Sequence, residues 1–286
     1  MTAEVDTQGV PAATPAFAGR PVANPFVAVV GYTLRACLPA RRWVGVLLPC
    51  AGAVLFGWLA TAADSRSTEE AFADVAELGL FGLVLPLTCL VIGDAVLGAD
   101  IRAGTFPLTW LSPVGFGTIV VGRWLGGWLV ALVSLVPALV VATLIAGVPE
   151  GAGPMAIAAA TGSAAYIGLF VMLGAIVRRA AVWSLAVVFL GERLLGGVLS
   201  GIAQISPMWE SQQVYAGLPE RDGPRVLAEV SGEFEFVASD DAGGFLLLRD
   251  GTPNGWAAVA RLAAILAVTL IVAAWRIRHL KPTDDG

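Results

Sequence analysis

The stretch Gly98-Ala99-Asp100-Ile101-Arg102-Ala103-Gly104-Thr105-Phe106-Pro107-Leu108-Thr109-Trp110-Leu111-Ser112-Pro113 interrupts an otherwise apolar chain. It places charge and turn formers between two apolar runs, 78–97 and 119–147, each long enough to cross a bilayer. A membrane-spanning chain has reason to break its apolar runs in this way where something in water must be touched. The segment is therefore the first candidate for a functional contact.

Composition sets the class. Of 286 residues, 57% are hydrophobic and 14% charged, against about 45–50% apolar and about 25% charged in soluble domains. The expected fold is an all-α integral membrane domain. The net charge of −5, the scattered arginines and the single lysine, Lys281, exclude a nucleic-acid footprint. Arginine over lysine, with abundant Ala, Gly and Val, reads as a high-GC bacterial sequence, and hence as a bacterial plasma-membrane protein. Cys37, Cys50 and Cys89 lack metal-ligand spacing and read as small apolar side chains.

Working outward, six runs have spanning length: 43–63, 78–97, 119–147, 156–177, 181–203 and 256–275. The third is overlong, and its start near Gly122-Arg123 reads as tilted or interfacial. Trp43, Trp58, Trp124, Trp183, Trp256 and Trp275 stand at run ends, as in an interfacial aromatic belt. Ala60-Thr61-Ala62 mimics a leader cleavage site, but the run before it follows a long tail and is itself spanning in length, so it reads as an uncleaved first helix. Arg35, Arg41, Arg42, Arg102, Arg123, Arg178, Arg179, Arg276, Arg278 and Lys281 fall on one side of a six-span topology. The acidic loops, including Asp64, Glu69, Glu70, Asp74, Glu77, Glu150 and the 204–255 loop, fall on the other. By the positive-inside rule both termini are cytoplasmic.

Residues 1–24 read as a disordered tail, 25–42 as an interfacial amphipathic helix, 43–280 as the six-span domain and 281–286 as a cytoplasmic tail. Within the 204–255 extracytoplasmic loop, the alternation Glu233-Phe234-Glu235-Phe236-Val237 and the run Phe245 to Leu248 read either as a hairpin or as ordinary loop.

Catalytic arrangements are largely excluded. His279 is the single histidine and lies in the tail, no Gly-x-Ser-x-Gly or His-Glu-x-x-His pattern occurs, and there is no Gly-x-x-x-x-Gly-Lys-[Ser/Thr] loop. The chain reads as a non-enzyme without cofactor or metal, and any ATP chemistry must sit on another subunit. Charge inside a span costs about 2.5–3.5 kcal/mol at mid-bilayer and calls for a reason. Asp94, Glu192 and Arg193 are singled out on that ground. For the last two, a coupling carboxylate facing a cavity and a span five broken by Gly191, Gly196, Gly197 and Gly201 into a re-entrant helix both stand. The spacings Gly122-x-x-x-Gly126 and Gly197-x-x-x-Gly201 permit close helix packing.

The opening segment joins spans two and three on the cytoplasmic side. Thr105 caps a short helix there, Pro107 is tolerated in its first turn, and Phe106, Trp110 and Leu111 face outward, toward either a partner or lipid headgroups.

A family resemblance chooses between these. Asp100, Gly104-Thr105, Leu111-Ser112-Pro113-Val114 and Gly122-Arg123-Trp124-Leu125-Gly126 follow a pattern that resembles the permease subunits of type-2 ATP-binding-cassette exporters. The six-span layout, the basic N-terminal interfacial helix and the long last outer loop are similar too. Asp100 stands where Glu is commoner and Arg123 where Lys is usual. Gly115-Phe116-Gly117 replaces an expected basic residue.

The resemblance implies that the segment between spans two and three is a coupling helix docking into a cytoplasmic ATPase, with Asp100, Arg102, Gly104, Thr105, Phe106, Trp110 and Leu111 as the coupling residues. It implies two ATPase copies carrying ATP and Mg, a second permease subunit, identical or not, a lipid surround, and a short re-entrant helix before span six, matched to 192–205. The alternatives are a stand-alone proton-coupled transporter using Glu192 and a non-transporting membrane anchor.

Overall fold

Pro86 stands inside the second apolar run, where a proline removes a backbone donor and its ring crowds the carbonyl four residues back. In the computed structural model the chain meets this by widening the helix. The structure describes residues 24–37, 44–62, 68–98, 114–177, 180–186, 188, 206–218 and 255–279, and every described element is helical. Helix α1 is Pro25–Cys37 and α2 is Val44–Ala62. One rod, α3, runs through Thr68–Val75, Ala76–Val84, Leu85–Gly93 and Asp94–Gly98, the second and fourth stretches being π-helical. Just before Pro86, the Leu85 N–H bonds back five residues to the Leu80 carbonyl, the wide turn that leaves room for a proline ring.

Helix α4 is Phe116–Ile145, and α5, Ala152–Ile176, follows a 3₁₀ turn at Pro149–Gly151. Short helices α6, Ala180–Ala186, and α7, Pro207–Gly217, precede α8, Gly255–His279. Four helices are long and apolar enough to cross a membrane: Ala71–Leu97, Phe116–Ile145, Pro149–Ile176 and Gly255–His279. They match expected spans two, three, four and six, and this is a multi-pass membrane fold. Helix α2, expected as span one, has 19 residues and at 1.5 Å per residue is about 28 Å long. Of expected span five, only Ala180–Ala186 and Val188 are described, so Glu192 and Arg193 lie outside the described residues.

Side-chain packing fixes the direction of each rod. Gly52 of α2 abuts Val84 of α3, while Gly57 abuts Ala142 and Ile145 of α4. Gly93 of α3 meets Phe170 of α5, and Gly168 of α5 meets Leu266 and Thr269 of α8. Neighbours α2, α3, α4 and α5 therefore alternate in direction, and α8 runs parallel to α5. The buried layer between them is dense, with Leu80, Leu85, Leu135, Leu139, Tyr166 and Ile167 almost wholly enclosed. Outward-facing Leu47, Leu55, Val133, Val268 and Ile271 are exposed, as befits faces turned to lipid.

Two expectations are revised. Glu69, Glu70, Asp74 and Glu77 belong to α3, whose first turns extend span two beyond the apolar run, rather than to a loop. The overlong third run is one continuous helix, Phe116–Ile145. Part of the 204–255 region is the helix α7, and the hairpin residues 233–248 lie outside the described residues.

Candidate functional site

The seven expected coupling residues, Asp100, Arg102, Gly104, Thr105, Phe106, Trp110 and Leu111, lie outside the described residues. What the structure shows is the joint on which that segment is mounted: the end of α3, the start of α4, and α1. Gly122 and Gly126, one turn apart on α4, form the seat for α1. A Cβ added at Gly122 would lie 2.9 Å from Val29 Cγ1, and one at Gly126 would lie 2.7 Å from Thr33 Cβ and 3.2 Å from the Val30 carbonyl. Only glycine admits so close an approach of two backbones. The Gly-x-x-x-Gly spacing read from sequence thus has its partner, and the helix expected to lie at the interface packs on a membrane helix.

Arg123, between those glycines, is 5% exposed. Its guanidinium donates to the Val96 carbonyl at 2.8 Å and stands 5.4 Å from the centre of the Tyr32 ring. Val96 is on the π-helical stretch Asp94–Gly98, the last described part of α3. Its carbonyl is the C-terminal-facing, negative side of a helical peptide dipole, so a cation is well placed there. Asp94, the one expected intramembrane charge that is described, is half-buried at the start of this stretch, and its N–H is shared by the Leu90 and Val91 carbonyls.

Further along α4, Trp124 and Trp128 stack with ring centres 5.5 Å apart. Their indole N–H groups donate to the Ala164 and Ala160 carbonyls of α5 at 3.0 and 2.9 Å. Trp124, one of the expected belt residues, thus ties α4 to α5. Trp58, Trp183, Trp256 and Trp275 are exposed.

The opposite end of the bundle holds a second polar cluster. Ser206 accepts from the Trp209 N–H at 3.4 Å and starts α7, with Pro207 in the first turn. Helix α7 buries Glu210, Ser211, Gln212 and Gln213 among the spans. Arg261 donates to Glu210 Oε1 and Oε2 at 3.1 and 3.4 Å, and Gln212 donates to the Glu77 carbonyl at 3.5 Å. Tyr215 packs against Phe72 and Phe81. Burial pushes the Glu210 carboxyl up to about 7, while the charge and hydrogen bond of Arg261 pull it down. Sequence reasoning passed over Arg261, although it falls within the sixth apolar run. It also took Glu210 for a loop acid. No group of residues suited to holding a metal occurs among those described.

No protein-family model matches the chain. Over 123 residues it is 34% identical to the probable ABC transporter permease protein NosY of Stutzerimonas stutzeri. The chain is a relative of an ABC transporter permease. The matched stretch is 39% of this chain and 44% of NosY, so the chain spans less than half the length of that permease. The permease likeness agrees with the family that the Asp100 to Gly126 pattern resembles, and with a bundle of spanning helices.

Proposed function

We propose that the chain is the membrane permease subunit of an ATP-driven ABC exporter, with ATP and Mg bound by two copies of a separate cytoplasmic ATPase. The observation that carries this reading is the 34% identity to a permease over 123 residues. Two such permease subunits, identical or not, form the transport path in the bacterial plasma membrane. The coupling residues are Asp100, Arg102, Gly104, Thr105, Phe106, Trp110 and Leu111. ATPase closure pushes on them, and the rigid helices α3 and α4 carry the displacement through the bilayer.

Ile176 ends α5 at the Arg123 end of the bundle, whereas Ser206 starts α7 at the Glu210 end. These described ends are compatible with the proposed six-span layout, in which both termini share one side. Arg123, Arg276 and Arg278 stand at that end, while Glu77, Glu150 and Glu210 stand at the other with Arg261 paired to Glu210. The excess of arginine at the first end supports cytoplasmic termini.

The experiment is affinity purification of the tagged chain from its native membrane. The reading expects a soluble protein with a phosphate-binding Gly-Lys-Ser/Thr loop to co-purify with the wild-type chain and to be lost from Trp110→Ala. A chain that inserts normally but purifies without any ATPase would sink it.

A further inference from the structure

We infer that Arg123 is a positioning residue that staples the two ends of the coupling segment together and to α1. The inference rests on the reading of 99–113 as that segment. Val96 and Arg123 lie 27 positions apart, one on each side of it, yet the guanidinium donates to the Val96 carbonyl at 2.8 Å. The donor to this carbonyl thus comes from the following helix, across the whole intervening segment.

The bond is buried, with Arg123 5% exposed, so water does not compete for either partner. Tyr32 closes the third side, its ring facing the guanidinium at 5.4 Å. The glycines on either side of Arg123 make this arrangement reachable, because they let Val29 and Thr33 of α1 settle on the α4 backbone. One turn on along the same face of α4, a Cβ at Gly127 would lie 2.5 Å from Val96 Cγ2, so α3 and α4 are in close contact at the level of the staple.

The mechanical consequence follows from the π-helical stretch Asp94–Gly98. A π-helical turn is an uncommon, wide turn, found often at functional sites. Held by Arg123, it moves as one body with α4 and α1. Released, it absorbs a push locally instead of transmitting it.

Two measurements on the full-length chain in lipid nanodiscs test this. The first is amide hydrogen exchange in wild type, Arg123→Met and Arg123→Lys. The staple predicts that the amides of 94–98 exchange about tenfold faster or more in Arg123→Met. Those of 158–171 in α5 should be unchanged, and Arg123→Lys, which keeps a charged donor, should restore most of the protection. Equal exchange at 94–98 in wild type and Arg123→Met overturns it. Tyr32→Leu is the second variant should Arg123→Met not insert; it should raise exchange at 94–98 by a smaller factor, and unchanged exchange there counts against the staple.

The second measurement is ATP turnover by the co-purified ATPase. It should fall about tenfold in Arg123→Met, with bound ATPase and the nucleotide KM unchanged and with recovery in Arg123→Lys. A merely structural residue would change the amount of complex instead. Wild-type turnover in Arg123→Met overturns the positioning role. If no ATPase binds even the wild-type chain, the coupling reading fails, and the exchange result alone decides whether the staple exists.

Discussion

Arg261, on the second turn of the last span, donates one amine to both carboxylate oxygens of Glu210, at 3.1 and 3.4 Å, although Glu210 is wholly buried and Arg261 is partly exposed. The pair fastens the short helix α7 to α8. A buried pair of this kind contributes little net stability, but removing one partner strands the other.

The pair makes stability depend on pH in a predictable direction. The Glu210 carboxyl stands near 7 in the folded chain, against 4.5 for an ordinary glutamic acid. Between those values the folded state holds a proton that the unfolded state has released, so stability falls as pH rises. Relative to Glu210→Gln, the wild-type chain in detergent should lose up to about 3 kcal/mol between pH 5 and pH 8. Thermal unfolding of both chains across that range checks it, and parallel curves would contradict it.

Arg261→Met should act in the same direction and more strongly at high pH. Without the guanidinium the carboxylate is left buried and unpaired, and Glu210 holds its proton to a higher pH still. The expected loss is about 2 kcal/mol at pH 8, less than for a fully buried pair because Arg261 is partly exposed. The loss should shrink below pH 6. Comparing Arg261→Met with the double variant Glu210→Gln/Arg261→Met isolates the effect, since the double variant should recover stability at pH 8.

At the other end, Gly126→Leu should unseat α1. The new side chain would overlap Thr33 and the Val30 carbonyl, at a cost of about 1–3 kcal/mol. Cys37, at the end of α1, is a buried thiol outside any disulfide, whereas Cys50 is exposed. In a Cys50→Ser/Cys89→Ser background, maleimide labelling of Cys37 should be slow in the parent and fast in Gly126→Leu. Equal labelling rates would show that α1 does not need the glycine seat.

Trp124 and Trp128 offer a test of polar contacts between spans. Each indole N–H bonds a carbonyl of α5, and such bonds average about 0.6 kcal/mol in membrane helices. Trp124→Phe and Trp128→Phe should each cost about that much, with the double variant departing from additivity because the rings stack. A double-mutant cycle in a reversible detergent unfolding assay measures it.

Much of the bundle was legible in the sequence because lipid demands long apolar runs, and four of those runs are helices of spanning length. The glycine pair at Gly122 and Gly126 was legible as a packing signal, but its partner was not, because spacing says how close a helix can come and not which one. Helix α7 was hidden for the opposite reason. Its Glu210-Ser211-Gln212-Gln213 run reads as solvated loop, yet these side chains are buried against spans that supply Arg261 and the Glu77 carbonyl as partners. The signal that marks it is Ser206-Pro207, a helix-start pair. The extension of α3 back to Thr68 was masked by Glu69, Glu70 and Asp74, which suit the first turns of a helix as well as a loop.

The most direct measurement of the central claim is ATP turnover by the co-purified ATPase, reconstituted in identical nanodiscs with the wild-type chain, with Trp110→Ala, and with no permease. The account predicts that turnover depends on the wild-type chain and falls to the permease-free level with Trp110→Ala. The same turnover in all three preparations would contradict it.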